Sequence, residues 1–192
     1  MENRRKKSTN ILPVLIVFVL IAAIISCVCY LGYDKYIEYT HPIKYEQYVT
    51  QYAAEYGIDK YLVYAVIKTE SGYDPAAVSN VGARGLMQIM EPTFEWIKYK
   101  LGDEETKYYD MFDPETNIRY GCFLLGYLYA EFGNVQATMA AYHAGRGQVN
   151  EWLVDKSISS DGRTLDYIPI SDTAHYVDKI INSISIYKEL YA

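Results

Sequence analysis

Glu70-Ser71-Gly72-Tyr73-Asp74-Pro75, followed by Gly82-Ala83-Arg84-Gly85-Leu86-Met87-Gln88-Ile89, sets one acid at the end of an apolar run and a glycine-punctuated loop behind it. Upstream, Asp59 is placed as an N-cap, and Leu62, Val63, Val66 and Ile67 repeat at helical spacing over Lys60 to about Glu70. Glu70 therefore falls at a helix C-terminus, whose negative end disfavours a carboxylate and favours the protonated acid. An ordinary Glu titrates near about 4.3, so an acid that still holds its proton at neutral pH needs apolar surroundings. Val66, Ile67, Met87 and Ile89 are in reach to supply them. Residues 71–85 read as loop, with Gly72, Pro75, Gly82 and Gly85, and a helix is expected to resume near Gly85–Met90. Gln88, between Met87 and Ile89, is a polar amide that needs a partner. Ser71, next to Glu70, is a candidate hydrogen-bond donor to its carboxyl.

Outward from this stretch the pattern stays helical. From Tyr45, the residues Tyr48, Tyr52 and Ala53 recur on one face until Tyr56-Gly57. Pro92-Thr93 opens a helix to about Leu101, and residues 102–112 read as loop. Asp113-Pro114-Glu115-Thr116 is a helix start, with Asp as N-cap and Pro in the first turn. That helix runs to Phe132 and ends at Gly133-Asn134. Gly121, Gly126 and Ala130 on it would admit another helix closely. Val135–Ala144 is the next helix, broken by Gly145 and Gly147, and Gln148–Leu153 continues it briefly. Residues 154–170, rich in Ser, Asp and Gly, suggest a surface flap. Ser171 or Asp172 caps a last helix, Thr173 to Tyr191, with Val177, Ile180, Ile181, Ile184 and Ile186 as its apolar residues. No strand ladder or repeat is visible, so the fold class is a compact all-α domain over residues 45–192.

The N-terminal part is different. Residues 11–33 carry no charge, and about 20 residues of helix cross a bilayer. Arg4, Arg5, Lys6 and Lys7 precede this run, so residues 1–10 read as a basic cytoplasmic tail and 11–33 as a transmembrane signal anchor. Residues 34–44 read as a tether. Two other readings stay open: a lipoprotein signal, since Ile24-Ile25-Ser26-Cys27 is a loose lipobox, and a cleaved secretory signal. All three put residues 34–192 outside the membrane.

Composition narrows the function. The net charge is −6. Residues 1–33 carry +3, which leaves −9 on the remainder and argues against nucleic acid and against adhesion to anionic lipid. The 3 cysteines, Cys27, Cys29 and Cys122, leave none to pair with Cys122 in the globular part. No Cys/His spacing suits a metal, and no cofactor is expected. The chain holds 22 Tyr against 5 Phe and 2 Trp, which suits either a tyrosine-rich core or surfaces that stack on sugar rings. No nucleophile elbow is present, and Cys122 lies mid-helix with no obvious base. Ala141-Tyr142-His143-Ala144-Gly145 puts a polar pair before a helix break, a candidate cleft wall. Tyr176, in the last helix, has a hydroxyl that could reach a carboxyl. Glycosidases usually work with two carboxylates. Here Asp74 suits a turn as well as catalysis, and Asp110, Asp113 and Asp172 read as caps or loop residues. A mechanism with one carboxylate has to be considered.

Four blocks resemble the catalytic domain of family 1 lytic transglycosylases, the soluble lytic transglycosylase or goose-lysozyme-like fold, over roughly residues 44–190. The first is the opening stretch, through Ser79. The second is Asp113-Pro114-Glu115-Thr116-Asn117-Ile118 with Gly121. The third is Ala140-Ala141-Tyr142-His143-Ala144-Gly145 with Gly147, Val149 and Trp152-Leu153. The fourth is Ile168-Pro169 with Thr173, Tyr176 and Val177. The resemblance implies a lysozyme-like helical domain that cuts peptidoglycan strands, with Glu70 as acid and then base, and a 1,6-anhydro product. It implies groove roles for Ser71, Met87, Gln88, Tyr142 and Tyr176, the last bonded to the Glu70 carboxyl. His143 stands where the family usually has Asn, and Asp172-Thr173-Ala174 where it usually has Glu-Thr-Arg. A histidine in the groove suggests pH-sensitive substrate binding. The rival readings are a hydrolytic muramidase and a silent glycan-binding scaffold. An envelope-complex protein partner is left open.

Overall fold

A computed structural model describes residues 12–192. The basic cluster Arg4–Lys7 and the rest of the expected cytoplasmic tail lie outside the described residues. The chain divides into two units, one through Pro42 and one of Ile43–Ala192.

The first unit is a single helix, α1 (Leu12–Thr40), of 29 residues with none buried. At 1.5 Å per residue it is about 43 Å long, more than the roughly 30 Å of a bilayer core. It continues unbroken past Tyr33, so the stretch read as a tether is helical as far as Thr40.

The second unit is built from α2 (Glu46–Glu55), α3 (Lys60–Ser71), α4 (Glu91–Leu101), a 3₁₀ turn (Tyr108–Phe112), α5 (Pro114–Phe132), α6 (Val135–Ala144), α7 (Arg146–Val154) and α8 (Ser171–Tyr191). Its core helix is α3. Seven consecutive side chains, Tyr61 to Ile67, are buried. Such a run, apolar all round, marks a helix wrapped by others. α3 packs on α2 and α8, α6 on α5, α7 and α8, and α4 on α5.

Side chains stop and start these helices as their chemistry dictates. Asp59 accepts from Tyr61 N at 2.9 Å, Asp113 from Thr116 N at 2.9 Å and Asn134 from Ala137 N at 2.8 Å. Gly72, Gly102 and Gly133 close helices in the left-handed conformation. The last helix departs from the expected cap. It begins at Ser171 after Ile170, with no side-chain cap bond.

One packing expectation changes. Gly121 and Gly126 do not receive a helix face. A Cβ on Gly121 would lie 2.2 Å from Met87 Sδ, and one on Gly126 2.8 Å from Tyr56 O, so α5 is shaped to take a loop and the end of α2. The large buried tyrosines, Tyr64, Tyr120 and Tyr187, are core residues. Tyr99, Tyr109 and Tyr167 are exposed.

Candidate active site

The site begins where α3 ends. Glu70 is the penultimate residue of that helix. Burial pushes its pKa up to about 7, against a hydrogen bond from Tyr176 that pulls the other way. The Tyr176 hydroxyl donates to Glu70 Oε1 at 2.6 Å. Tyr176 is itself buried, and desolvation and the neighbouring carboxyl hold its pKa far above the ordinary phenol value. The phenol stays a donor at any working pH.

Residues 72–90 form no helix, contrary to the expectation for Gly85–Met90. Arg84 and Ile89 exchange backbone bonds at 3.0 and 3.1 Å, and Gly85 N donates to Ala77 O at 2.9 Å. Gly85 has φ 75°, Gln88 φ 49° and Tyr73 φ 69°. Left-handed conformations at Gln88 and Tyr73 cost of order 1–3 kcal/mol each and persist where surroundings over-determine them. The surroundings here are specific. Asn117, fully buried on α5, donates from Nδ2 to Arg84 O at 3.0 Å and Met111 O at 2.8 Å, and accepts from Met87 N at 2.8 Å. Tyr108 donates to Gly82 O at 2.6 Å and Ile89 O at 3.0 Å, and the Arg84 guanidinium lies 4.1 Å over its ring. Tyr73 shares a 2.6 Å bond with the Tyr187 hydroxyl of α8.

Against this frame each expected site residue has a place. Gln88 is on the groove, and its amide nitrogen donates to Gly85 O at 2.9 Å and Ala77 O at 3.2 Å. Ser71 does not bond the Glu70 carboxyl. Its hydroxyl sits between two carbonyls, Ile67 O at 3.1 Å and Leu86 O at 2.8 Å. Met87 is not a groove wall either. It has no exposed surface, because the space over Gly121 takes its side chain into the core. Its carbonyl instead accepts the Tyr142 hydroxyl at 2.6 Å. The Tyr142 ring lines the groove. His143 follows it, exposed, with Nδ1 3.0 Å from Thr173 Oγ1 and its ring stacked on that of Tyr176 at 4.5 Å and 29°. Burial lowers the His143 pKa below its ordinary 6.5, while Asp172 pulls it back up.

These residues enclose a groove of about 280 Å³, lined by Glu70, Ser79, Val81, Ala83, Gln88, Ile89, Met90, Thr93, Leu124, Tyr142 and His143. Glu70 is the only acid on that lining. Asp74 is not on it, and its carboxylate accepts from Ala76 N at 2.9 Å within its own turn. A second hollow of about 300 Å³, with Trp96, Tyr127 and Arg146 on its wall, shares Thr93, Leu124 and Tyr142 with the first. Among the described residues no group of three or more metal-ligating side chains gathers.

Asn117 stands in the second of the four blocks, but no role for it was read from the sequence. Its signal was a polar side chain in the stripe shared by Gly121, Leu125, Leu128 and Phe132, and a buried polar group in such a stripe is there for its hydrogen bonds.

The profile of the family described as Transglycosylase SLT domain matches residues 47–162. The soluble lytic murein transglycosylase of Salmonella typhimurium is 34% identical over 149 residues, 76% of this chain and 23% of that protein. The membrane-bound lytic murein transglycosylase C of Yersinia pestis is 36% identical over 119 residues, 55% of this chain and 32% of that protein. The chain thus spans from just under a quarter to about a third of the length of these relatives. Among solved structures, the 70 kDa soluble lytic transglycosylase of Escherichia coli superposes with a TM-score of 0.70 at 30% identity, over 80% of this chain and 25% of that one. An inactive mutant of the lytic transglycosylase Slt from Pseudomonas aeruginosa gives 0.69 at 28% identity, over 78% and 25%.

Proposed function

The chain belongs to the Transglycosylase SLT domain family, and from that premise we propose that residues 45–192 cleave the β-1,4 bond between N-acetylmuramic acid and N-acetylglucosamine in peptidoglycan. Glu70 serves as the single acid and base. Its carboxyl holds a proton up to about pH 7. It passes that proton to the glycosidic oxygen as the bond to C1 breaks and positive charge develops on the muramoyl ring. The resulting carboxylate takes the proton of the muramoyl 6-hydroxyl, whose oxygen closes on C1. The product is a 1,6-anhydro sugar, the leaving strand keeps the donated proton, and no water is consumed.

One observation carries this reading: the groove holds a single carboxyl, buried enough to stay protonated near neutrality and oriented by a phenol. Gln88 and Tyr142 are the glycan-contacting residues, being on the lining, and His143 stands beside them at its edge. Tyr176 acts on the acid. Ser71 and Met87 act behind the wall, through the bonds to Leu86 O and from Tyr142.

For the first unit the reading is a single-pass signal anchor with residues 45–192 outside the membrane. The length and apolarity of α1 support it, as does the basic cluster that precedes it. A relative named membrane-bound points the same way.

The test is mass spectrometry of peptidoglycan digested by the wild type and by Glu70→Gln. Anhydro ends, one water lighter than hydrolysed ends, are expected from the wild type and none from the variant. Hydrolysed ends would make the chain a muramidase. Glycan binding without cutting would make it a scaffold. An active Glu70→Gln would remove Glu70 from the chemistry.

A further inference from the structure

We propose that His143 is a positioning residue for the Glu70 acid: its imidazole clamps α8 at two points and so fixes the phenol that donates to Glu70. This rests on the reading of Glu70 as the acid. The clamp is a chain of three contacts. Glu70 Oε1 accepts from Tyr176 at 2.6 Å. The Tyr176 ring is stacked under that of His143 at 4.5 Å and 29°. His143 Nδ1 lies 3.0 Å from Thr173 Oγ1. Thr173 and Tyr176 are three residues apart on α8, neighbours on one helix face. One imidazole on α6 therefore grips both, Thr173 by a hydrogen bond and Tyr176 by its ring face. Thr173 is almost wholly buried, at 1% exposure, so the anchor end of the clamp does not swing.

The grip matters because of what the phenol does. Burial drives Glu70 toward its protonated form, and the Tyr176 bond opposes it. An acid catalyst must hold its proton before the reaction and release it during it. The Tyr176 bond stabilises the carboxylate left after release. It also occupies Oε1, which leaves Oε2 to carry the proton. Both effects depend on a phenol held at hydrogen-bond distance, and a phenol ring pivots readily about its aromatic torsion unless its face is packed. His143 supplies that packing from the groove side. Of the groups facing the imidazole, Asp172 and Tyr176 come from α8, and Tyr142 adjoins it on α6.

Four variants of the full chain in detergent separate the contributions. His143→Ala removes both contacts, His143→Asn keeps a hydrogen-bonding group without the stack, and His143→Phe keeps a stack without the hydrogen bond. Tyr176→Phe removes the donor itself. Release of glycan fragments is followed from about pH 5 to 9. The expected result for His143→Ala is a kcat lower by about tenfold or more, since small misplacements of catalytic groups cost rate rather than binding. KM stays within a factor of about two, and the alkaline limb of the profile moves up, toward that of Tyr176→Phe. His143→Phe and His143→Asn each recover part of the loss. A raised KM with unchanged kcat and limb would overturn the proposal and make His143 a substrate contact. A variant indistinguishable from wild type would overturn it as well. Carbon-13 NMR titration of the Glu70 carboxyl reads the same coupling without turnover. If that titration moves up in His143→Ala while the wild type yields hydrolysed ends or none, the clamp stands and the transglycosylase reading falls. Should His143→Ala fail to fold, His143→Phe and His143→Asn carry both measurements, and an unmoved carboxyl in both rejects the clamp.

Discussion

At Glu70 the fold works against charge. The carboxyl ordinarily titrates near 4.5 and here near about 7. Between those values the native state binds more protons than the unfolded one, so stability falls as pH rises through the window. Above about pH 7 the whole difference is lost, at most about 3 kcal/mol. Glu70→Gln keeps the shape and the acceptor for Tyr176 but never ionises. It should therefore match the wild type in thermal melts at about pH 4 and exceed it at about pH 8. Melts that respond to pH identically would show that the carboxyl is not strained by burial. The same variant should cut glycan slower by about 10²–10⁴-fold, the usual worth of a positioned acid or base. In the wild type, cutting should fall as pH rises through about 7, because the starting acid must be protonated. Tyr176→Phe removes a group that favours the carboxylate, so its alkaline limb should move to higher pH. A limb that moves down would reverse the role given to the phenol. The acid and its apolar flank were legible in the sequence because they are local: α3's stripe ends at Glu70. Ser71 misled for the same reason. Proximity in sequence suggested a bond to Glu70, yet a hydroxyl in a helix's last turn finds a carbonyl one turn back, here Ile67 O.

The loop between α3 and α4 is the element that positions Gln88 and the groove wall without any regular structure. Leu86, Met87, Ile89 and Met90 have the spacing of a short apolar helix, such as was expected near Gly85–Met90. The left-handed conformations of Gly85 and Gln88 prevent it, and the reciprocal Arg84–Ile89 bonds replace the helical ladder. What selects this path lies far along the chain, in Asn117, Tyr108 and Tyr142, so no window around residues 82–90 contains the information. Removing the Asn117 side chain strands the buried Met111 carbonyl and the buried Met87 N–H, and leaves Arg84 O with the Ile89 N–H as its remaining donor. Each unsatisfied group costs about 1–3 kcal/mol. Asn117→Ala should lose about 3 kcal/mol or more in denaturant unfolding, together with most of the activity. Asn117→Asp is expected to do no better, because it puts a carboxylate oxygen against the carbonyls of Arg84 and Met111. Rescue by Asp would mean that the Met87 N–H alone holds the loop. Gly85→Ala tests the same junction from the other side. Its Cβ would lie 2.0 Å from Met111 O at a φ of 75°, and neither backbone has room to give. It should be at least as destabilising as Asn117→Ala.

Over the whole molecule, the two units differ in where their apolar side chains lie. The core of the second is drawn from all its helices, with α3 at its centre. Side chains of α1, by contrast, are exposed along the apolar run, with Leu15, Phe18, Ile24 and Leu31 each more than half exposed. In water such a surface would drive association, whereas in a bilayer it is matched. The C-terminal end of the run and the turns beyond it carry Tyr30, Tyr33, Tyr36 and Tyr39, one every third residue and all strongly exposed. Tyrosine concentrates at the membrane–water boundary, where the ring is buried and the hydroxyl wet. α1 is longer than a bilayer core is thick, so on the proposed span its polar final turns, from Asp34 onward, would extend past that boundary. The full chain should then stay with membranes through alkaline carbonate washing, and residues 43–192 alone should wash free. With its own core, residues 43–192 should keep the circular dichroism of a helical protein and cut soluble glycan fragments at the kcat of the full chain in detergent. Full-chain protein released by carbonate would remove the membrane span. A soluble unit with a much lower kcat would show that the groove depends on the segment before Ile43. Replacing the four tyrosines by serine separates spanning from boundary anchoring. The span should survive, because the charge-free run is intact. A labelling reagent confined to water should then reach further down α1 than in the wild type, and an unchanged labelling boundary would leave the tyrosines without an anchoring role.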